Sequence, residues 1–357
     1  MLLPMIDTLS AKVDVSDFES STKDLQEILR RKKEEAKLAA TNQTSTKIVI
    51  CIGNFNFEVL PNGKMGYAYI LHNELYEVNI AQFRSKNKDF YPISVRIKAE
   101  CLWAYGPERA WENIISWIQN YIGNVIHDKV SRIDLCVHTD KLNLLYSDIE
   151  TFKGNYFDEN IYRFRRRITG MNFGSRTNCK IYCRIYDKLL EVKQTGKKYW
   201  FFDIWKNAEC NCKNVWNVEF QINREFLKDY NIETVRDSFK RLKTLWKYCT
   251  EKWIVKVKLD HTRIERCTTD DIWISIQNAF DNYKHEPLVK REVQLASDAE
   301  AIVPGTIGNI TTFAARKGIT DINLVLNMLK HKGSDYLACK DIDFKEAVTQ
   351  KISLLSI

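Results

Sequence analysis

The sequence predicts an α+β protein in which duplicated β-α-β units form a mainly antiparallel sheet, with a helical C-terminal extension. Strand-like runs that alternate apolar and polar residues recur up to about Asp260, and amphipathic helical segments separate them. A chain of 357 residues with 45% hydrophobic content is long enough to bury a core of this size. After Asp260 the pattern becomes helical.

The duplication is visible in two segments that lie 125 residues apart, "ECLWAYGPERAWE" from Glu100 and "EFLKDYNIETVRD" from Glu225. Each segment follows one strand-like run, precedes an amphipathic helix, and is followed by another strand-like run, "SRIDLCVH" or "WIVKVKLD". Solenoid repeats are only about 20 to 50 residues long, so this period favours a duplicated domain related by a pseudo-twofold axis. Chance similarity is the alternative.

Three regions follow from these patterns. We expect an N-terminal strand and charged helix in residues 1–46, the duplicated domain in residues 47–260, and a helical region in residues 261–357. No run of about 18 apolar residues is present, and charge interrupts the N-terminal stretch too early for a signal peptide. The sequence therefore predicts a cytoplasmic protein without membrane association.

The ten cysteines include no CxxC pair, which predicts reduced thiols rather than a disulfide framework. A structural zinc site of Cys210 and Cys212 with Cys249 or His261 is the alternative. Its spacing lacks the usual CxxC halves, and the sequence favours it less.

The positive charge of the chain is concentrated in one segment. The formal net charge is +8, and residues 161–200 hold eleven Lys and Arg side chains against two acidic ones. Aromatic residues lie among these cations, a composition that suits nucleic acid because cations bind phosphates and rings stack on unpaired bases. A solvated sheet edge protected by cations is the alternative. The predicted DNA-binding residues are Arg165, Arg167, Arg176, Tyr182, Arg184 and Lys188.

The open, polar faces of three strands carry the candidate chemistry. Alternation places Asp134, Glu219 and Tyr186 on the polar faces of "RIDLCVH", "WNVEFQIN" and "IYCRIYDK". In a shared sheet the two carboxylates would hold Mg²⁺ or Mn²⁺, which prefer oxygen ligands, while the phenol attacks a DNA phosphorus. Ion pairing of both carboxylates with neighbouring arginines is an alternative of equal weight.

Three motifs in this order, "SRIDLCVH", "FGSRTNCKIYCRIYDKLLE" and "VWNVEFQINREFL", resemble the Rep-trans replication initiation factors. That family contains rolling-circle initiators of plasmids and filamentous phages, with related conjugative relaxases. The resemblance covers roughly Met5 to Lys258 and implies a curved antiparallel sheet with helices behind it. It also implies a site-specific DNA nickase and strand transferase whose tyrosine becomes linked to the 5′ phosphate and leaves a 3′ hydroxyl to prime synthesis.

Carried over by motif, the nucleophile is Tyr186, with Tyr182 as the competing tyrosine, and two metal ligands are Asp134 and Glu219. Relatives often have a second acidic residue where this chain has His138, so Glu100 is the expected third ligand. The resemblance further implies Mg²⁺ or Mn²⁺ as cofactor, a single-stranded or cruciform origin DNA as partner, host helicase and DNA polymerase, a bacterial host cell, and a homodimer. The alternatives left open are a non-catalytic origin-binding DNA regulator and the relaxase of a conjugative element.

Overall fold

The structure is a computed structural model that describes residues 1–43, 46–87, 89–176, 179–210, 212–290, 303–339 and 342–355. It divides into two compact units, Met1–Lys290 and Arg291–Ile357.

An antiparallel sheet of 11 strands dominates the first unit and confirms the predicted α+β class. The strands of the first unit are β1 (Leu2–Val15), β2 (Val49–Ile52), β3 (Phe55–Val59), β4 (Tyr67–His72), β5 (Tyr76–Ala81), β6 (Ile93–Ile97), β7 (Val125–Thr139), β8 (Phe152–Gly154), β9 (Glu159–Phe164), β10 (Arg167–Phe173), β11 (Ile181–Asp187), β12 (Trp216–Asn223) and β13 (Ile254–Lys256). The large sheet has the order β2-β3-β4-β5-β6-β1-β7-β12-β11-β10-β9.

The helices of the first unit separate these strands. They are α1 (Phe18–Thr41), α2 (Ala99–Tyr105), α3 (Pro107–Tyr121), α4 (Lys188–Thr195), α5 (Phe201–Asn207), α6 (Arg224–Asp229), α7 (Val235–Phe239), α8 (Leu242–Lys247) and α9 (Asp271–Gln277). Gly106, with a φ of 79°, turns the chain between α2 and α3, and Pro107 then begins α3 with a φ that suits the first helical position.

The strand order shows the predicted duplication. Outward from the centre, the first half of the chain runs β1, β6, β5, β4, β3, and the second half runs β7, β12, β11, β10, β9. Glu100 in α2 follows β6, and Glu225 in α6 follows β12, so the two similar segments occupy equivalent places. One detail differs from the prediction, because the strand after the second copy, β13, pairs with β8 in a separate two-stranded sheet.

The main core lies between one face of the sheet and the helices. Ile133, Leu135 and Val137 of β7 are buried in it together with Trp111 of α3 and Trp246 of α8. Strand β1 pairs with β6 on one side and β7 on the other, so the N-terminal residues are integral to the centre of the sheet.

The opposite, polar face of the sheet is partly covered. A smaller apolar cluster contains Leu189 and Val192 of α4 with Phe201 and Trp205 of α5. These helices follow β11 directly, and Asp187 caps α4 by accepting a hydrogen bond from the Leu190 amide at 2.9 Å. A hydrogen bond from Trp205 of α5 to His138 of β7 holds α5 against the polar face.

The second unit contains α10 (Val303–Lys317), α11 (Ile322–Cys339) and α12 (Phe344–Leu355). It fits the helical character predicted for the C-terminal region. In the parts of the chain that the structure covers, no helix combines the length and the apolar composition needed to span a bilayer.

Candidate active site on the polar face of the sheet

The register of β7, β12 and β11 brings the predicted site residues together. Arg184 lies opposite Glu219, and Tyr186 lies opposite Asn217, in the pairing of β11 with β12. Asp134 lies one side-chain row away, on β7. Paired residues point to the same face of a sheet, and so do residues two positions apart on one strand. These side chains therefore share the polar surface of the sheet.

The hydroxyl of Tyr186 is held by three side chains. It donates a hydrogen bond to Glu219 Oε2 at 3.3 Å, and it accepts from Asn217 Nδ2 at 3.0 Å and from Lys188 Nζ at 3.2 Å. Burial raises the pKa of Tyr186 above its usual value of 10, although Lys188 opposes this shift. The phenol is therefore protonated at neutral pH, with one acceptor for its proton and two donors for the oxyanion.

Both carboxylates are fully buried and paired with arginine, which corrects the expectation of an open face. Arg132 Nε donates to Asp134 Oδ1 at 2.7 Å, and a second guanidinium nitrogen reaches Oδ2. Arg184 is ion-paired with Glu219. Burial raises the pKa values of Asp134 and Glu219, and the arginines oppose that shift. The ion pairing is the arrangement that the alternative interpretation predicted.

Lys188 is a buried lysine, 1% exposed, in an aromatic setting. Its ammonium lies 5.4 Å from the ring centroid of Tyr186 and 4.9 Å from that of Phe201, and it pairs with Glu191 at 2.7 Å. Burial disfavours its charge, but Tyr186, Asp7 and Glu191 outweigh burial and raise the pKa of Lys188. A charged ammonium therefore stays beside the phenol.

His138 is neutral and enclosed by aromatic rings. Trp205 Nε1 donates to its Nδ1 at 3.1 Å, so the ring proton is on Nε2, and Trp103 stacks on it with centroids 4.8 Å apart. Burial, together with Lys188 and Lys198, lowers the pKa of His138 well below its usual range. This side chain supports the floor of the site and contributes no charge to it.

Asp7 is the site residue that sequence reasoning missed. Counting alternately from Leu9, which is in the core, Asp7 would also face the core. A β-bulge between Ile6 and Thr8 reverses the alternation and brings Asp7 to the polar face, where its charge raises the pKa values of Asp134 and Glu219. The signal was present as a repeated dipeptide, since Ile6-Asp7 in the first strand of one half matches the Ile-Asp of "RIDL" in the other.

The donor set does not fit a divalent metal in this arrangement. Within the described parts of the chain, no three His, Cys, Asp or Glu side chains are gathered closely enough to hold a metal ion. Arginine occupies the oxygens of Asp134 and one oxygen of Glu219, while Glu100 lies at the start of α2 and lines a neighbouring cavity.

The predicted DNA-binding residues fall into two groups. Arg165, Arg167 and Arg176 are exposed, as expected for contact with a phosphate backbone. Tyr182 is only 7% exposed and Lys188 is buried, so neither is a surface residue in this structure. Arg184 is half-buried in its pair with Glu219 and lies beside the ring of Tyr186.

The exposed cations continue along the edge strand β9. Arg163 lies 5.4 Å from the ring centroid of Tyr146, and Arg165 lies 5.3 Å from that of Phe164, an exposed ring. The two-residue turn between β9 and β10 is Arg165-Arg166, and both residues have positive φ, as type I′ turns require. Cations and aromatic rings therefore project together from this hairpin, which we call the basic hairpin (residues 159–173).

The candidate zinc ligands are not assembled. Cys210 and Cys212 pack against the small cluster of α4 and α5, whereas Cys249 is buried in the main core. All three are free thiols. The two clusters separate the cysteines that the zinc alternative required to converge.

The ion pair of Arg184 and Glu219 should carry a large part of the stability of this face. We expect Arg184→Met to lower the free energy of unfolding by about 3–5 kcal/mol, because it leaves a buried carboxylate unpaired, and the double variant with Glu219→Gln to recover most of this loss. Lys180→Met is the matched control, since both members of its pair with Asp229 are exposed, by 59% and 38%, and the change should cost at most about 1 kcal/mol. Chemical denaturation measures all three, and equal losses for the two single variants would contradict the expectation.

Comparisons with known proteins find a likeness in structure and none in family models or curated sequences. No family model matches the chain, and no curated protein matches it. Among solved structures it is similar to a rolling circle replication initiator protein from Geobacillus stearothermophilus, with 13% identity over 81% of this chain and 100% of that one, at a TM-score of 0.46.

Proposed function

We propose that the chain is a site-specific DNA nickase and strand transferase that initiates rolling-circle replication of a plasmid or phage through a 5′-phosphotyrosine intermediate. The observation that carries the proposal is the Tyr186 hydroxyl, held between the Glu219 carboxylate and the donors Lys188 and Asn217. A tyrosine set between a base and two oxyanion donors is arranged for nucleophilic attack. The ordered motifs that resemble the Rep-trans initiators support the same function.

The chemistry uses the residues already in contact. As the Tyr186 oxygen attacks the scissile phosphorus, its proton passes to Glu219 Oε2, and the bond from phosphorus to the 3′ oxygen breaks. The 3′ oxygen leaves and takes a proton from solvent, which gives a 3′ hydroxyl and a 5′-phosphotyrosine. Lys188 and Asn217 stabilise the phenolate as it forms, and Arg184 offers positive charge to the phosphate.

The raised pKa of Glu219 suits the role of a base. A carboxylate whose pKa lies above that of free glutamate holds a proton more strongly and so removes one more readily from a phenol. Burial raises the pKa of Tyr186 as well as that of Glu219. The hydroxyl of Tyr186 therefore keeps its proton until it attacks the phosphate.

We further propose that the basic hairpin holds the DNA. Its cations can bind phosphates, and its exposed rings Tyr162 and Phe164 can stack on unpaired bases. Dependence on Mg²⁺ or Mn²⁺, dimerisation, recruitment of host helicase and polymerase, and the choice between replication and mobilisation stay predictions from the resemblance.

Tyr186→Phe should abolish the covalent adduct and leave DNA binding intact, because only the attacking oxygen is removed. The assay incubates the protein and a supercoiled plasmid that bears its coding region, with Mg²⁺, with Mn²⁺ or with a chelator. A suicide oligonucleotide that spans the mapped nick then traps the adduct on a denaturing gel.

Tyr182→Phe is the matched control, since Tyr182 is a tyrosine four positions earlier on the same face of β11. It should retain most nicking. An adduct that persists in Tyr186→Phe and disappears in Tyr182→Phe would reassign the nucleophile. Binding without nicking by the unchanged protein would favour the DNA regulator, and nicking at a transfer origin rather than a replication origin would favour the relaxase.

Adduct formation should show an acid limb that belongs to Glu219. The carboxylate accepts a proton only when it is ionised, and burial raises its pKa, so the single-turnover rate should fall at a higher pH than the usual glutamate value of 4.5. Glu219→Gln should lower the rate by about 10²–10⁴-fold and remove this limb. Glu225→Gln, at an exposed position on α6, is the control and should keep the profile of the unchanged protein. An identical acid limb in Glu219→Gln would exclude Glu219 as the base.

The basic hairpin should contribute to the salt dependence of DNA binding. Arg165→Asn with Arg166→Gly keeps the residues that a type I′ turn favours while removing two cations. The slope of log affinity against log salt on duplex DNA should become less negative by about 1.8, from about 0.9 for each phosphate contact. Lys32→Gln with Lys37→Gln on α1 removes the same charge and should leave the slope unchanged. Equal slopes for both double variants would remove the hairpin from the interface.

A further inference from the structure

A cavity of about 700 Å³ adjoins the candidate active site on the side of the first half of the chain. Its walls come from β1, β6, the start of α2 and the turn between α4 and α5, and they include Asp7, Arg96, Glu100, Lys198 and Trp200. The volume lies within the range of about 300–1,000 Å³ that is usual for ligand pockets. None of these five side chains is among the hydrogen-bond partners of the Tyr186 hydroxyl, which are Glu219, Asn217 and Lys188.

Asp7 provides the cavity with a buried carboxylate oxygen that lacks a hydrogen-bond donor. The residue is 9% exposed, and its Oδ1 atom is buried without a hydrogen-bond partner among the residues that the structure describes. Burying a carboxylate without a donor costs free energy, and nearly all buried polar atoms in folded proteins are satisfied. An unpaired oxygen here therefore points to a ligand that brings an N–H or O–H donor.

The walls of the cavity also attract an anion. Five cations and three acids line it, with Arg96 on β6, Lys98 at the N-cap of α2, and Lys197 and Lys198 in the turn between α4 and α5. Phosphate alone would be drawn to the cations and repelled by Asp7. A nucleotide satisfies both requirements, because it joins an anionic phosphate to a neutral ring that carries N–H donors.

Trp200 adds a ring on which a base can stack, and it links the cavity to the nucleophile. Its ring centroid lies 3.9 Å from that of Phe201, and the Phe201 centroid lies 4.9 Å from the ammonium of Lys188. Lys188 in turn donates to the hydroxyl of Tyr186. A base bound in the cavity would thus belong to a nucleotide close to the phosphate that is cut, on the same DNA strand. Stacking on aromatic side chains is a general means of binding unpaired bases.

We propose that this cavity binds one unpaired nucleotide of the substrate strand, with its base against Trp200, an amino group of the base donating to Asp7, and its phosphates near Lys197 and Lys198. This proposal rests on the proposed function for the identity of the strand. It makes Asp7 a specificity-determining residue. Cytosine offers its N4 amino group to a carboxylate, whereas thymine presents a carbonyl oxygen at the same place.

A divalent metal bound by Asp7 is the competing occupant. The cations in the walls oppose it, and no described group of three metal-ligand side chains includes Asp7. The two possibilities predict different effects of changing Asp7. If Asp7 binds a metal, the change lowers metal affinity whatever the DNA sequence. If Asp7 contacts a base, the change alters the preference among bases.

The test measures binding of labelled oligo(dC) and oligo(dT), each about 12 nucleotides long, by fluorescence anisotropy at mildly alkaline pH. The full chain with Tyr186→Phe is used, so that no cleavage competes with binding. We expect a preference for oligo(dC) of about fivefold or more, and loss of that preference in Asp7→Asn. Trp200→Ala should weaken binding of both strands. Asp24→Asn, at an exposed position on α1, makes the same change of charge and should keep the preference.

The outcomes separate the possibilities. Equal binding of the two strands, or an unchanged preference in Asp7→Asn, overturns the proposal. Calorimetric titration with Mn²⁺ is run on the same variants, and a loss of Mn²⁺ binding in Asp7→Asn with the base preference intact assigns Asp7 to a metal. Competition by free dCMP at strand-equivalent concentration assigns the cavity to a free nucleotide instead.

Folding and the proposed function are controlled separately. Asp7→Asn keeps the size and shape of the side chain, and its thermal unfolding midpoint is measured beside binding, so a loss of preference at an unchanged midpoint reflects recognition. A base preference without any covalent adduct from the unchanged protein would contradict the nickase and leave the cavity assignment standing. A covalent adduct without a base preference would support the nickase and overturn the cavity assignment.

Discussion

The structure depends on charged side chains that are buried on one face of a sheet. Asp134 and Glu219 are removed from water, and each is compensated by an arginine on its own or the adjacent strand. Such pairs tolerate little displacement, because a buried ion that loses its partner costs several kcal/mol. A slip of one residue between β11 and β12 would send Arg184 to the core and leave Glu219 unpaired. The ion pairs therefore specify the register that also places Tyr186.

The same burial sets the chemistry of the tyrosine. Removal from water stabilises the protonated phenol, whereas Lys188 and Asn217 stabilise the phenolate at hydrogen-bond distance. In the proposed function this tyrosine would stay unreactive until a phosphate arrives, because the neighbouring carboxylate of Glu219 must take its proton during attack. The aromatic residues around His138 and Lys188 keep water from the far side of the site and strengthen these electrostatic interactions. Stability and the proposed reactivity thus depend on the same contacts.

The two halves of the sheet are related by duplication, but equivalent positions in them carry different residues. The first strands of both halves bring an Ile-Asp pair to the axis between β1 and β7. At the 125-residue offset, Glu219 and Gln221 of β12 correspond to Ser94 and Arg96 of β6. The second half therefore carries the acidic part of the face around Tyr186, and cations of both halves line the cavity beside it. A DNA strand bound across the pseudo-twofold axis would contact both the acidic part of the face and the cavity.

The sequence alone determined the α+β class, the duplication, and which side of each strand Asp134, Glu219 and Tyr186 occupy, because alternation and repetition are local properties of the chain. It also determined the charge of the basic hairpin. Tertiary structure decided what these residues meet. Alternation cannot reveal the bulge that turns Asp7 onto the polar face, since a bulge depends on pairing with another strand. Nor can it reveal that α4 and α5 fold over the face, which buries Lys188 and turns an expected open surface into an enclosed site. Both outcomes arise from contacts between residues far apart in sequence, and no local pattern encodes them.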